Sequence, residues 1–387
     1  MKFSSGVISN FFTPCCSFKP VSNCCIGIYN NLSRVNIIIQ LEKHMEKRLA
    51  KFNELVPSTL PFVEGKLEGH KERKNYSIVG PGVAEDSKQF IKIAMPHSFN
   101  LGAVSALPKN GSGLHSHTTA EVFLIYSGRW RFYWGAEGKD ETILNAGDII
   151  SMPTNMFRAF ENAGDEEGLI FVVLGGDDPG IITWVPSVLE KAKKTGMALL
   201  NDNSLIDLSI NKIPEGKTIL KPISQEEIKK FDNYKLNQLE KFICKNSENS
   251  KYENKLNENI YLIQIIGNKF EKKEFSPVIK QDTGFNLSIL KSSKGHITNL
   301  KFEKPTIMFS RTGKWEIMID DFPFQHSEHR TFVGNVIERF AIQSQSQTLE
   351  HTTLDHQIGA RAHHPPGNVF FSGGVQQKFN FTVAFDV

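Results

Sequence analysis

Two landmarks occur twice in this 387-residue chain at nearly the same separation. FNLGAV (99–104) returns as FNLSIL (285–290), and SGRWRFYW (127–134) returns as TGKWEIMI (312–319). Phe99 lies 29 positions before Gly128, and Phe285 lies 28 before Gly313. Matched recurrence of this kind marks one structural unit copied in tandem. The unit reads as β-structure. QFIKIAM (89–95), NLGAVSAL (100–107), EVFLIYSG (121–128), RWRFYWG (129–135), ETILNAGDIISM (141–152), FRAFENAG (157–164) and LIFVVLGG (169–176) are short apolar or alternating runs. Gly, Asn and Pro punctuate them, as between successive strands. The segment LIFVVLGG lacks alternation, which is the pattern of a strand covered on both faces.

Length and composition agree with two β-domains and linkers. Hydrophobic residues make up 40% of the chain, enough for a sizeable core, and 29 Gly with 17 Pro supply turns. The net charge of +3 and the lack of a long basic block exclude nucleic acid as an implied partner. No run of eighteen apolar residues exists, so no membrane helix is expected and a cytoplasmic location is. Four of the five Cys fall in the first 25 residues, as two CC pairs that do not match paired CxxC zinc spacing, and Cys244 stands alone.

The organisation expected along the chain has five parts. Residues 1–44 form an unstructured or non-native leader: 1–41 contain no acidic residue, and either a targeting peptide or translation from Met45 accounts for them, the second being preferred. Residues 45–75 hold an N-terminal helix, with Leu49, Phe52 and Leu55 at helical spacing before Pro57, and a linker. A β-domain covers 76–180. A helical, charged connecting region covers 181–284, with a helix over 186–200, a capping box at Ser224 and Glu227, and an exposed helix or mobile linker over 230–258. The second β-domain covers 285–387.

Chemistry concentrates in GLHSHTTAEVFLIYSG (113–128). His115 and His117 are two apart and share a strand face, and Glu121 lies beyond a two-Thr turn from which it can return to that face. Two imidazoles and a carboxylate suit a divalent Fe, Mn, Ni, Cu or Zn ion with positions left for water or substrate. His115, His117, Glu121 and Gly128 resemble, position by position, the first motif of the cupin superfamily. GDIISMPTNMFRAFEN (147–162) resembles its second motif at Gly147, Pro153 and Asn162. The resemblance implies an all-β fold of two cupin (double-stranded β-helix, jelly-roll) barrels with minor helices, a double cupin or bicupin.

Two positions depart from the family. Asn155 stands where a Gly is usual, and Asn tolerates a left-handed turn. Arg158 stands where the fourth ligand, a His, is usual, and a guanidinium has no lone pair to give. A three-ligand site remains. Two roles are open to Arg158: a bidentate clamp on a substrate carboxylate, or an ion pair with Glu121 that replaces the metal. His97 is a conceivable substitute ligand.

The second copy has lost the site. Aligning Gly313 on Gly128 places Leu300, Phe302 and Thr306 at the positions of His115, His117 and Glu121. Its second motif has two placements, one with Glu338 and one with Phe370 at the Arg158 position. The histidines His326, His329, His351, His356, His363 and His364 lack an acidic partner at motif spacing. His44 and His70 read as surface residues, and Trp130, Trp134 and Trp315 as core.

The bicupin resemblance implies two functions. One is a metal-dependent dioxygenase of a small aromatic or oxygenated acid, as in quercetin and gentisate dioxygenase-like proteins. His115, His117 and Glu121 would hold the metal and Arg158 would neutralise the substrate. The other is a non-catalytic protein binding a small ligand, with the metal structural or absent. Either way the partner is a small, acidic molecule, and self-association is left open.

Overall fold

The computed structural model describes residues 49–96, 98–256, 260–267 and 276–292, and beyond them the backbone of seven further strands. The leader, His44, His97 and the six C-terminal histidines lie outside the described residues, and so does the Trp315 side chain.

Where a helix was expected, residues 49–54 form strand β1 (Leu49–Lys51) and one 3₁₀ turn (Phe52–Glu54). The reason is tertiary. Leu49, Ala50 and Lys51 pair antiparallel with Ile342, Ala341 and Phe340, and Ala50 is buried there. Three apolar positions at helical spacing are too few to hold an isolated helix against such pairing.

The first barrel is built from β2 (Arg73–Val79), β3 (Ile91–Ile93), β4 (Phe99–Ala106), β5 (His115–Ser116), β6 (Glu121–Ser127), β7 (Arg129–Trp134), β8 (Asp140–Asn145), β9 (Ile149–Met152), β10 (Arg158–Asn162), β11 (Gly168–Gly175) and β12 (Thr183–Trp184). They form two facing sheets, β9-β6-β11-β4-β2-β3 and β12-β5-β10-β7-β8. Alternation in β7 has its usual meaning: Trp130, Phe132 and Trp134 are fully buried and pack with Phe123 and Phe160 between the sheets. Gly128 turns β6 into β7 at φ +85°, where a Cβ would come 3.0 Å from the Gly168 Cα. Asn155 takes φ +56°, the left-handed turn expected of it.

All eight residues of β11 are buried. Ile170 and Val172 point into the first barrel, whereas Leu169, Phe171 and Val173 join a second cluster with Ile263, Leu287 and Ile289. The strand is continuously apolar because each face has its own core to fill.

Helix α1 (Pro186–Lys194) follows, with Pro at its first position and Val188 and Ala192 buried. It ends earlier than expected: Gly196 takes φ +84°, and residues 197–199 become β13 (Met197–Leu199), paired with β14 (Leu205–Asp207). The capping box is present, Ser224 and Glu227 closing the start of α2 (Gln225–Ile228). Within the described part of this stretch, residues 234–244 pack against the first barrel rather than standing free. Leu239, at the end of α3 (Leu236–Leu239), is fully buried, and β15 (Ile243–Cys244) extends the edge at β9. The Trp134 indole donates to the Tyr234 carbonyl at 2.8 Å.

After β16 (Asn254–Lys255) and β17 (Ile260–Ile266) come β18 (Asn286–Ser292), β19 (Ile297–Lys301), β20 (Thr306–Ser310), β21 (Trp315–Asp320), β22 (Thr331–Val333), β23 (Phe340–Ser344), β24 (Asn368–Gly373) and β25 (Asn380–Asp386). Their sheets run β23-β20-β25-β18-β17-β16 and β19-β24-β21-β22. Strand for strand, this repeats β9-β6-β11-β4-β2 and β5-β10-β7-β8. The fold is all-β, a jelly roll used twice, and the repeated landmarks fall in equivalent strands: Phe99 opens β4 and Phe285 immediately precedes β18, while Trp130 and Trp315 lie in β7 and β21.

Candidate metal centre

His115 sits on the two-residue strand β5, in register with Arg158 of β10 on one side and Trp184 of β12 on the other. His117 follows just past that strand, and Glu121 opens β6. The ligand atoms of the three lie within 4.8 Å of one another, and all three side chains are buried. The imidazole centroids are 4.8 Å apart with planes at 89°.

Each imidazole is prepared to donate a lone pair. The Gly113 carbonyl, which can only accept, lies 2.7 Å from His115 Nδ1, so Nδ1 carries the proton and Nε2 is bare. Burial, with the nearby Arg158 charge, holds His115 down to about 3 and His117 well below its ordinary value. Neither ring nitrogen of His117 has a hydrogen-bond partner, although both are buried. Such orphaned groups are costly and call for a missing partner. His117 Nε2 is 3.5 Å from Glu121 Oε2. Two donors each about 2.1 Å from one ion at tetrahedral or octahedral angles lie about 3.0–3.4 Å apart. The donor set therefore fits a divalent ion after a modest contraction of its widest separation.

Arg158 is 1% exposed and committed to Glu121. Its Nε donates to Oε2 at 3.0 Å, and Nη2 lies 2.9 Å from the same oxygen as an ion-pair contact, while Nη1 donates to the Met156 carbonyl. Burial raises the Glu121 pKa and the guanidinium opposes it. Of the two roles open to Arg158, the contact present is the ion pair with Glu121. The site opens on a cavity whose wall contains His115, His117 and Glu121 but not Arg158.

A different arginine lines that cavity. Arg73, at the start of β2, is 2% exposed and pairs with the fully buried Glu64 at 2.8 Å. Glu64 also accepts from Gly113 N at 2.6 Å, next to the histidine segment. Sequence reasoning missed both, because nothing local distinguishes them from the solvated charges around them. His70, read as a surface residue, exposes 19% of its side chain and donates through Nδ1 to the Gly111 carbonyl.

In the second barrel the lost ligands take equivalent places. Thr306 opens β20 as Glu121 opens β6, and Leu300 lies on β19. Backbone register corrects the second motif. Val369 pairs with Leu300 and Ile319, as Arg158 pairs with His115 and Trp134. Val369, rather than Phe370 or Glu338, therefore occupies the Arg158 position.

Residues 103–174 match the family described as "Cupin domain". The first barrel is a cupin. Its strands β4 to β11 carry the match, and the second half repeats the same strand order. No curated protein matches the chain. Among solved structures, vicilin from Corylus avellana (hazelnut) is similar at 14% identity and TM-score 0.48, over 88% of this chain and 85% of that one. A variant of Bacillus subtilis oxalate decarboxylase is similar at 10% identity and TM-score 0.48, over 88% and 76%. The formate complex of Lactobacillus farciminis oxalate decarboxylase is similar at 14% identity and TM-score 0.48, over 88% and 85%. No helix among the described residues is long and apolar enough to cross a membrane.

Proposed function

We propose that the first cupin barrel is a three-ligand divalent-metal centre acting on a small organic acid, as a dioxygenase. The observation that carries this reading is His117, a neutral, buried imidazole with both nitrogens unpartnered beside His115 and Glu121. When bound, an Fe, Mn, Ni, Cu or Zn ion would supply a Lewis acid and, for the redox-active ions, a route to dioxygen. The protein's own part is to hold the donors ready. Gly113 fixes the His115 tautomer, burial keeps both rings unprotonated, and Arg158 pins one oxygen of Glu121.

Charge supports an acidic ligand. Arg158 cancels the Glu121 carboxylate, so a divalent ion there is left without protein counter-charge. Burying that charge is expensive unless an anion comes with it. A substrate carboxylate or hydroxide meets this need.

One observation favours the non-catalytic alternative. Arg158 takes the fourth-ligand position and already neutralises Glu121, as a metal would. Elemental analysis of purified protein, followed by oxygen uptake with a panel of aromatic and hydroxylated acids, tests the two readings. Bound transition metal with acid-dependent oxygen uptake supports the enzyme, and acid binding without metal supports the binding protein.

A further inference from the structure

The guanidinium of Arg73 is half used. Nη1 donates to Glu64 Oε1 at 2.8 Å and to the Gly111 carbonyl at 2.6 Å. Nε and Nη2 are buried with no partner. These two nitrogens form the side-on edge of the guanidinium, whose parallel N–H groups match the two oxygens of a carboxylate. The Phe62 ring lies 5.0 Å from the guanidinium carbon. Two residues along the same strand face, Asn75 Oδ1 is also buried without a partner.

Both residues line the cavity that His115, His117 and Glu121 line. Two side chains with orphaned polar atoms and the three proposed metal ligands thus line the same cavity. Glu64 balances the Arg73 charge, so an incoming carboxylate meets a neutral ion pair with unfilled donors rather than a repelling carboxylate.

We propose that the Nε–Nη2 edge of Arg73 is the carboxylate subsite of the first-barrel cavity and that Asn75 accepts a hydroxyl from the same ligand. The ligand class is a small hydroxylated carboxylic acid. The assignment rests on reading this cavity as the ligand site and is independent of whether metal is bound. Arg73, and not Arg158, then selects acids.

The test is calorimetry of the full-length protein as purified, with benzoate, the three monohydroxybenzoates and uncharged benzamide. The wild type binds at least one hydroxybenzoate more tightly than benzoate and does not bind benzamide. Arg73→Lys keeps the charge opposite Glu64 but loses the fork, and weakens the acids by at least about tenfold. Asn75→Leu abolishes the preference for hydroxylated acids. Metal content is measured alongside and stays at the wild-type level in both variants. Equal binding of benzamide and benzoate, no binding of any acid, or unchanged affinity in Arg73→Lys overturns the subsite. Should Arg73→Lys not fold, the benzoate–benzamide comparison on the wild type decides. Metal-free protein that still binds acids through Arg73 removes the enzyme reading and leaves the subsite standing. Metal-loaded protein whose acid affinity ignores Arg73 does the reverse.

Discussion

Arg158 Nε donates a 3.0 Å hydrogen bond to Glu121 Oε2, and the pair is almost wholly removed from solvent. A buried carboxylate without a counter-ion is strongly disfavoured, and this contact opposes the upward push of burial on the Glu121 pKa. Arg158→Met is expected to destabilise metal-free protein by about 3–5 kcal/mol in denaturant titrations. Saturating divalent metal should recover part of the loss, because the ion then serves as the missing cation. An equal loss with and without metal would show that Glu121 does not face the metal.

Arg158→His puts an imidazole back on β10 opposite His115. Its metal affinity is expected to exceed that of the wild type, measured by competition with a chelator. An affinity equal to or below the wild type would mean that the strand does not aim this position at the trio.

The two unpartnered nitrogens of His117 are a burden to the empty fold. His117→Leu is expected to leave metal-free stability unchanged or raised by up to about 1 kcal/mol while eliminating metal retention. Function bought at the cost of stability has this signature. A clear loss of metal-free stability would indicate that His117 has a structural partner.

Glu85 gives the fold a pH dependence of definite sign. It accepts from the Trp184 indole and Val63 N, both at 2.7 Å, but burial outweighs these contacts and pushes its carboxyl up to about 8. An unfolded Glu titrates near about 4.3. Between those values the folded chain keeps a proton that the unfolded chain releases, so stability falls as pH rises through that window. One proton gives at most about 1.4 kcal/mol per pH unit. Glu85→Gln should remove this part of the slope in denaturant titrations between about pH 5 and pH 8. An identical slope in the variant would contradict it.

The features legible in the sequence were those encoded locally. The two landmarks, the HxH–Glu–Gly spacing and the capping box at Ser224 each fit within one or two elements, and each falls where its pattern places it. Features set by distant partners were not legible. β1 replaces a helix because its partner residues, 340–342, lie far along the chain. The buried Arg73 and Glu64 look in sequence like any exposed charges. Arg158 could have faced a ligand or Glu121, and only the packing of β10 against β5 and β6 chose Glu121. Val369 was missed by one residue because pairing, not motif spacing, sets register in β24.

The central claim is that His115, His117 and Glu121 hold a divalent transition metal. Elemental analysis of the purified wild type beside His115→Ala and His117→Ala tests it most directly. The expected result is metal approaching about one ion per chain in the wild type and background levels in both variants. Background metal in the wild type, with no uptake from micromolar divalent ions, would contradict the claim.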